Sequence, residues 1–232
     1  MEDKKTPWLY KVIYFFVWLF SPKYKLVGTE NLPKEPCVIV GNHSQMYGPI
    51  AGEMYTPGKH YVWCAGEMMN RDEVAAYAYR DFWSNKPKSI RWFFKLLSHM
   101  ITPLSVLIFN SAHTVPVYHD VRVVTTFRES VKKLEAGCRL VIFPEKNERY
   151  NNILYAFQDR FFDLGRMYGR KTGQELVFVP MYLSPRLKTI CFGPPEAYCG
   201  ENRPEEERIR LCTAMMERIT ALACALPEHT VI

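Results

Sequence analysis

The stretch VRVVTTFRESVKKLEAGCRLVIFPE, Val121–Glu145, decides how the rest of the chain is read. Its apolar residues Val121, Val124, Phe127, Val131 and Leu134 recur three or four apart, which is the period of one helix face. Asp120 is placed to cap that helix and Gly137 to stop it. RLVIFPE follows at once as a short apolar run, the pattern of a buried strand, ending in Pro144 and Glu145. Another strand-like run, TVPVY (Thr114–Tyr118), precedes the helix. Strand, helix and strand at this spacing predict a βαβ unit with a right-handed crossover. The fold class that follows is α/β, with a mostly parallel central sheet flanked by helices.

Outward from this unit, further strands are expected at Tyr24–Val27, Cys37–Val40, His60–Ala65, Leu176–Leu183 and Leu187–Gly193. Helices are expected at Gly48–Tyr55, at Asp72–Trp83 with an Asp start, and at Asp159–Gly169. The last helix, Arg203–Leu226, opens with Pro204 and three Glu and carries Ile209, Cys212, Met216 and Ile219 on one face. There is no internal repeat, low-complexity tract or long linker in the 232 residues. The expected organisation is one α/β domain, residues 23–232, behind an N-terminal apolar helix, residues 1–22.

An apolar fraction of 48%, with 14% aromatic, is ample for a packed core and excludes a disordered chain. The seven cysteines, at positions 37, 64, 138, 191, 199, 212 and 224, are odd in number and never form a CxxC pair. They predict reduced thiols rather than a disulfide framework. A net charge of +6 suits anionic lipid or phosphorylated substrates, and no nucleic-acid recognition motif is present.

The first helix, WLYKVIYFFVWLF (Trp8–Phe20), contains a single charge, Lys11, between Lys4 and Lys5 on one side and Lys23 and Lys25 on the other. At about 20 Å it falls short of the roughly 30 Å hydrocarbon core. Its two Trp and two Tyr suit the headgroup region, and no small-x-small cleavage site follows it. The expectation is an interfacial membrane helix on a peripheral or monotopic protein at the cytoplasmic face; a buried core helix shows the same composition. A second apolar and basic stretch, Ile90–Phe109, carries Arg91, Lys95, His99 and Pro103, and predicts a kinked helix or helix pair near a membrane surface.

Four short stretches carry chemistry: NHSQMYG after the Cys37 strand, HTVPVYH, LVIFPEKNER, and FVPMYL. In this order and spacing, behind an apolar helix, they resemble the glycerophospholipid acyltransferases, the family of bacterial 1-acylglycerol-3-phosphate acyltransferase. The resemblance covers residues 23–183. It implies transfer of a fatty acyl group from a thioester, acyl-CoA or acyl carrier protein, to the hydroxyl of a lysophospholipid or glycerol-phosphate-type acceptor, with no metal or other cofactor. His43 matches the family's general base, within a motif that includes Asn42. The position of the family's orienting Asp is occupied by Gly48.

Without a carboxylate on its far nitrogen, an imidazole base loses the group that fixes its tautomer and supports its protonated form. Glu53, Glu67, Asp72 and Asp81 are alternative acids, each more readily read as a surface charge, and Gln45 or Tyr47 could position the ring by hydrogen bonding without matching a carboxylate's charge. The second motif's phosphate-gripping Arg falls near His119. In the third, Phe143, Pro144 and Glu145 match, whereas Lys146 stands where the family has Gly, and Arg149 comes one residue after the expected Arg. Glu145, Lys146, Arg149 and His119 are the acceptor-binding candidates this implies; a solvated loop fits Lys146 to Arg149 as well. Val179 and Pro180 match the family's acyl-pocket wall, a pattern shared by any core strand.

Two functional classes remain: a divergent acyltransferase, and an acyltransferase-fold protein that has lost catalysis and binds lipid or a partner at the membrane. A zinc or cysteine-nucleophile enzyme is disfavoured. His60 and Cys64 share a strand face with no third ligand nearby, and Ser44 adjacent to His43 points to the opposite side of an extended chain.

Overall fold

The structure, a computed structural model, describes residues 7–229; Lys4 and Lys5, expected to flank the first helix, lie outside them. In chain order the elements are α1 (Trp8–Phe20), β1 (Lys25–Val27), β2 (Cys37–Gly41), α2 (Tyr47–Tyr55), β3 (His60–Ala65), α3 (Val74–Ala78), α4 (Arg91–Ser111), β4 (Thr114–Val117) and α5 (Val123–Glu135). They continue with β5 (Arg139–Ile142), β6 (Glu145–Arg149), β7 (Tyr155–Phe157), α6 (Asp163–Thr172), β8 (Val177–Ser184), β9 (Thr189–Phe192), β10 (Glu196–Ala197) and α7 (Pro204–Cys224). The fold is mixed α/β, with a mostly parallel central sheet flanked by helices. Two compact units make it up. One holds α1 through Ser21 together with Trp63–Thr126; the other holds Pro22–Val62 and the chain from Phe127 onward.

The second unit contains the sheet order β1-β9-β8-β2-β5-β3. β2 is buried along its whole length and lies parallel to both neighbours, with Ile39 opposite Val141 on one side and Val179 on the other. A strand buried on both faces reads as an unbroken apolar run, which is why CVIV and RLVI stand out in the sequence. β9 and β10 pair antiparallel with β8. Pro180 interrupts neither ladder: it pairs in register with Val40, and its carbonyl accepts the Gly193 amide at 2.8 Å where β9 has ended. The proline's missing N–H therefore falls at the end of that pairing. Arg139 ties the strand starts together through the Pro33 carbonyl at 2.7 Å and the Pro57 carbonyl.

RLVIFPE is not one strand. β5 ends at Ile142, and Glu145 opens a separate two-stranded hairpin with β7. β8 and α7 form near the expected bounds, with Pro204 in the first turn of α7, but Ile209, expected on one face with Cys212, Met216 and Ile219, is exposed while those three are buried.

In the first unit the expected helix 72–83 begins at Val74 instead. Asn70 caps the preceding turn, accepting the Asp72 amide on its side chain and the Glu73 and Val74 amides on its carbonyl. The helix then widens into a π-turn over Tyr79–Trp83. α4 is one continuous helix through Pro103, not a pair. The Thr102 hydroxyl donates to the Ser98 carbonyl at 3.0 Å in the turn that the proline disturbs.

Candidate active site

The candidate site lies in the second unit, at the carboxyl end of β2. Asn42, 3% exposed, carries the β2–β8 ladder one step beyond its last backbone pair, Gly41 with Met181. Its side-chain oxygen accepts the Leu183 amide at 2.7 Å, and its Nδ2 donates to the Leu183 carbonyl at 3.0 Å and to Ser44 Oγ at 2.7 Å. A side chain thus does the work of a peptide group and fixes the point from which His43 departs.

The His43 backbone amide donates to Glu145 Oε2 at 2.6 Å, and the Tyr155 amide donates to Glu145 Oε1 at 3.1 Å. One carboxylate therefore ties the end of β2 to both strands of the β6–β7 hairpin. Burial pushes the Glu145 carboxyl up from its ordinary value, with the His43 and Tyr155 amides opposing. The His43 ring meets Phe143 edge-on, with centroids 5.8 Å apart. Phe143 fits a slot left by two glycines: a Cβ on Gly41 or on Gly52 would lie 3.2 Å from its ring.

After His43 the chain turns back sharply. Ser44 and Gln45 both adopt left-handed backbone conformations, φ 42° and 55°, which cost a non-glycine residue about 1 kcal/mol or more each. The turn closes through Tyr47 N–H to the Ser44 carbonyl at 3.1 Å and Gly48 N–H to the His43 carbonyl at 3.0 Å, and α2 follows. Gly48 is packed directly on that carbonyl: a Cβ there would lie 2.3 Å from the His43 oxygen. Position 48 is therefore closed to any side chain, and the orienting Asp of the motif has no room in this turn.

Burial pushes the His43 imidazole down from its ordinary value, favouring its neutral form; a hydrogen bond to the Gln45 backbone opposes this. Among the described residues no carboxylate contributes to setting the ring's charge. Of the alternative acids, Glu53 is on α2, whereas Glu67, Asp72 and Asp81 belong to the other unit, where Asp81 pairs with Arg80 at 3.0 Å.

The structure brings Asn42, His43, Gly48, Phe143, Pro144 and Glu145 together. Lys146 and Arg149 follow on β6, exposed. Val179 and Pro180 are buried in β8. His119 is exposed in the other unit, just after β4. Close to it in sequence, Arg122 is engaged by the carboxylates of Asp120 and Glu73, each at 2.8 Å, and lies over the Tyr118 ring. Sequence reasoning missed the contributions of Leu183 and Tyr155, because only backbone groups are involved and these carry no residue signature. Among the described residues no cluster of His, Cys, Asp and Glu could hold a metal ion. His60 is occupied otherwise, its two ring nitrogens facing the Gly58 and Glu53 carbonyls at 2.9 and 3.1 Å.

The crystal structure of the 1-acyl-sn-glycerophosphate (LPA) acyltransferase PlsC from Thermotoga maritima is similar to this chain, with a TM-score of 0.51 and 18% sequence identity over 98% of this chain and 86% of that one. The chain has that acyltransferase's fold. No protein-family model and no curated protein matches its sequence. At this identity the likeness establishes the architecture, and the chemistry has to be argued from the residues at the end of β2.

Proposed function

We propose that this protein is a membrane-associated acyltransferase that moves a fatty acyl group from an acyl thioester, acyl-CoA or acyl carrier protein, to the hydroxyl of a lysophospholipid or glycerol-phosphate-type acceptor. The observation that carries the reading is a half-buried His43, its amide held by Glu145 at 2.6 Å, at the end of the central strand of an acyltransferase fold. His43 takes the acceptor's hydroxyl proton as the oxygen attacks the thioester carbonyl. The new ester C–O bond forms, the C–S bond breaks, and the imidazolium returns its proton to the departing thiolate. Glu145 acts by holding His43, and Lys146 and Arg149 beyond it supply positive charge for the acceptor phosphate, in place of the Arg that His119 replaces. Val179 and Pro180 belong to the wall that meets the acyl chain. α1 seats the protein on the cytoplasmic face of a membrane, with Trp8, Phe15, Trp18 and Phe20 exposed for that purpose.

The test is turnover by purified protein with lipid, using a panel of acyl-CoA, acyl carrier protein and lysolipid substrates. His43→Ala should lower turnover by at least about a hundred-fold. Absence of turnover with every pair overturns the reading.

The closed turn at Gly48 favours a second reading, an acyltransferase-fold protein that binds lipid or a partner without catalysis. On that reading labelled lysolipid or acyl-CoA binds and is recovered unchanged.

A further inference from the structure

α4 is built inside out. The residues it buries are small and polar, Ser98, Thr102 and Ser105. Ser105 Oγ donates to the Met68 carbonyl at 2.9 Å, and Asn110 Nδ2 donates to the Met69 carbonyl at 2.9 Å, so the helix is strapped along its own unit by hydrogen bonds. On the opposite side Trp92, Leu96, Met100 and Leu104, four residues apart, form a single row that is 68%, 53%, 67% and 46% exposed. A helix facing water shows the reverse distribution.

Next to that row runs a second one, Arg91, Lys95 and His99. Residues 79–96 carry Arg80, Lys86, Lys88, Arg91 and Lys95 against a single acid, Asp81, which is itself paired with Arg80. Aromatic rings accompany these cations, with Lys95 over Tyr79 at 5.5 Å and Lys86 over Phe94 at 5.9 Å. Lys88–Ser111 is long and apolar enough to cross a bilayer. A crossing helix, however, has no use for Arg91 and Lys95 one turn apart beside its apolar face, with Lys86 and Lys88 just before it, whereas a helix lying at headgroup depth does.

We propose that α4 is a second membrane contact, lying in the plane of an anionic lipid surface. The row Trp92, Leu96, Met100 and Leu104 is immersed, and Lys86, Lys88, Arg91 and Lys95 lie against lipid phosphates. This extends the membrane reading of α1 and is independent of whether the protein is an enzyme. The excess of positive charge selects the occupant: a second copy of this surface would repel it.

The experiment is flotation of the full-length protein with vesicles of phosphatidylcholine alone or with phosphatidylglycerol mixed in. The wild type should bind the anionic vesicles more tightly and lose that preference as salt is raised. Lys86→Gln, Lys88→Gln, Arg91→Gln and Lys95→Gln combined should weaken anionic binding by about a hundred-fold or more, at about 1 kcal/mol per cation. Leu96→Trp and Leu104→Trp, made singly, should be quenched equally by lipids brominated high on the acyl chain. A progression from shallow to deep means that α4 spans the membrane and overturns the proposal. So does undiminished, salt-insensitive vesicle binding by the charge variant, or a benzoylphenylalanine at Met100 that captures a second copy of the chain instead of lipid. Failure of the wild type to bind any vesicle defeats the membrane reading of α1 as well; activity on soluble substrates is a separate measurement and stands apart from both.

Discussion

The end of β2 and the length of α4 place small polar side chains in the interior for different purposes. At Asn42 the buried amide completes a ladder between two apolar strands, β2 and β8, whose residues Ile39, Val179, Met181 and Leu183 belong to the core. Along α4 the buried hydroxyls face the protein because the apolar side chains face outward. Periodicity therefore identifies which residues share a face, while the medium that the face meets has to be found from packing.

The largest effect expected from this contrast is on stability in water. Ile39→Ser, in the fully buried strand, should cost about 4 kcal/mol or more, from lost transfer energy, a cavity and an unpaired hydroxyl. Leu96→Ser, on the exposed row of α4, should stay within about 0.5 kcal/mol of wild type. Urea midpoints of the detergent-free protein measure both, and a costly Leu96→Ser would mean that the α4 face is covered by protein.

Gly48 comes next. Gly48→Asp restores the motif's residue but drives a Cβ into the His43 carbonyl, so the turn must open. Overpacking of this kind costs about 1–3 kcal/mol. The variant should therefore melt earlier and gain no turnover. A rise in kcat with unchanged stability would show that the turn accommodates a carboxylate after all.

This position also marks how far the sequence could be read. β2, β5 and β8 were legible because burial on both faces leaves apolar runs, and α5 because Val131 and Leu134 continue a three-to-four repeat on its buried side; the start of that repeat was misread, since Val121 precedes the helix and both it and Val124 are exposed. The β6–β7 hairpin was not, since Lys146 to Arg149 are all exposed and polar, and what anchors that hairpin to β2 is the carboxylate of Glu145. The absent Asp at position 48 was visible at once. That no side chain fits there was not, because it depends on left-handed Ser44 and Gln45, neither of them a glycine. Asn42 matched a motif, but its partner is 141 residues away. Pro103 suggested a kinked helix or a helix pair; it lies on the exposed side of one continuous helix held along its buried side, so the pair is not formed.

Asn42→Ala should cost about 2–4 kcal/mol, because it leaves the buried Leu183 amide and carbonyl without their partner. Turnover should fall further than stability predicts, since the same side chain fixes where His43 leaves the strand. Ser105→Ala in α4 loses one hydroxyl contact and should cost about 1 kcal/mol. Equal losses at the two sites would erase the distinction between a polar group that completes a core and one that merely faces it.

The smallest effect is on pH dependence, and its sign separates the two titrating groups at the site. His43 is depressed below 6.5, so a base at this position stays unprotonated to a lower pH than an ordinary histidine, and the acid limb of kcat/KM should lie below 6.5. The unfolded chain binds that proton first, so the His43 contribution to stability is present above 6.5 and is lost as pH falls through the folded value. Glu145 runs the other way. Its raised value means that the folded protein takes up the proton before the unfolded chain does, and this contribution is lost as pH rises through the folded value, above 4.5. As the pH is lowered the two contributions therefore act in opposite directions, His43 weakening the fold and Glu145 strengthening it, while turnover only declines. Ring-carbon NMR titration of His43, with His43→Gln removing the weakening slope alone, measures the separation. A His43 that titrates above 6.5 would require a carboxylate at its ring, and the closed turn at Gly48 would then not be what sets this base.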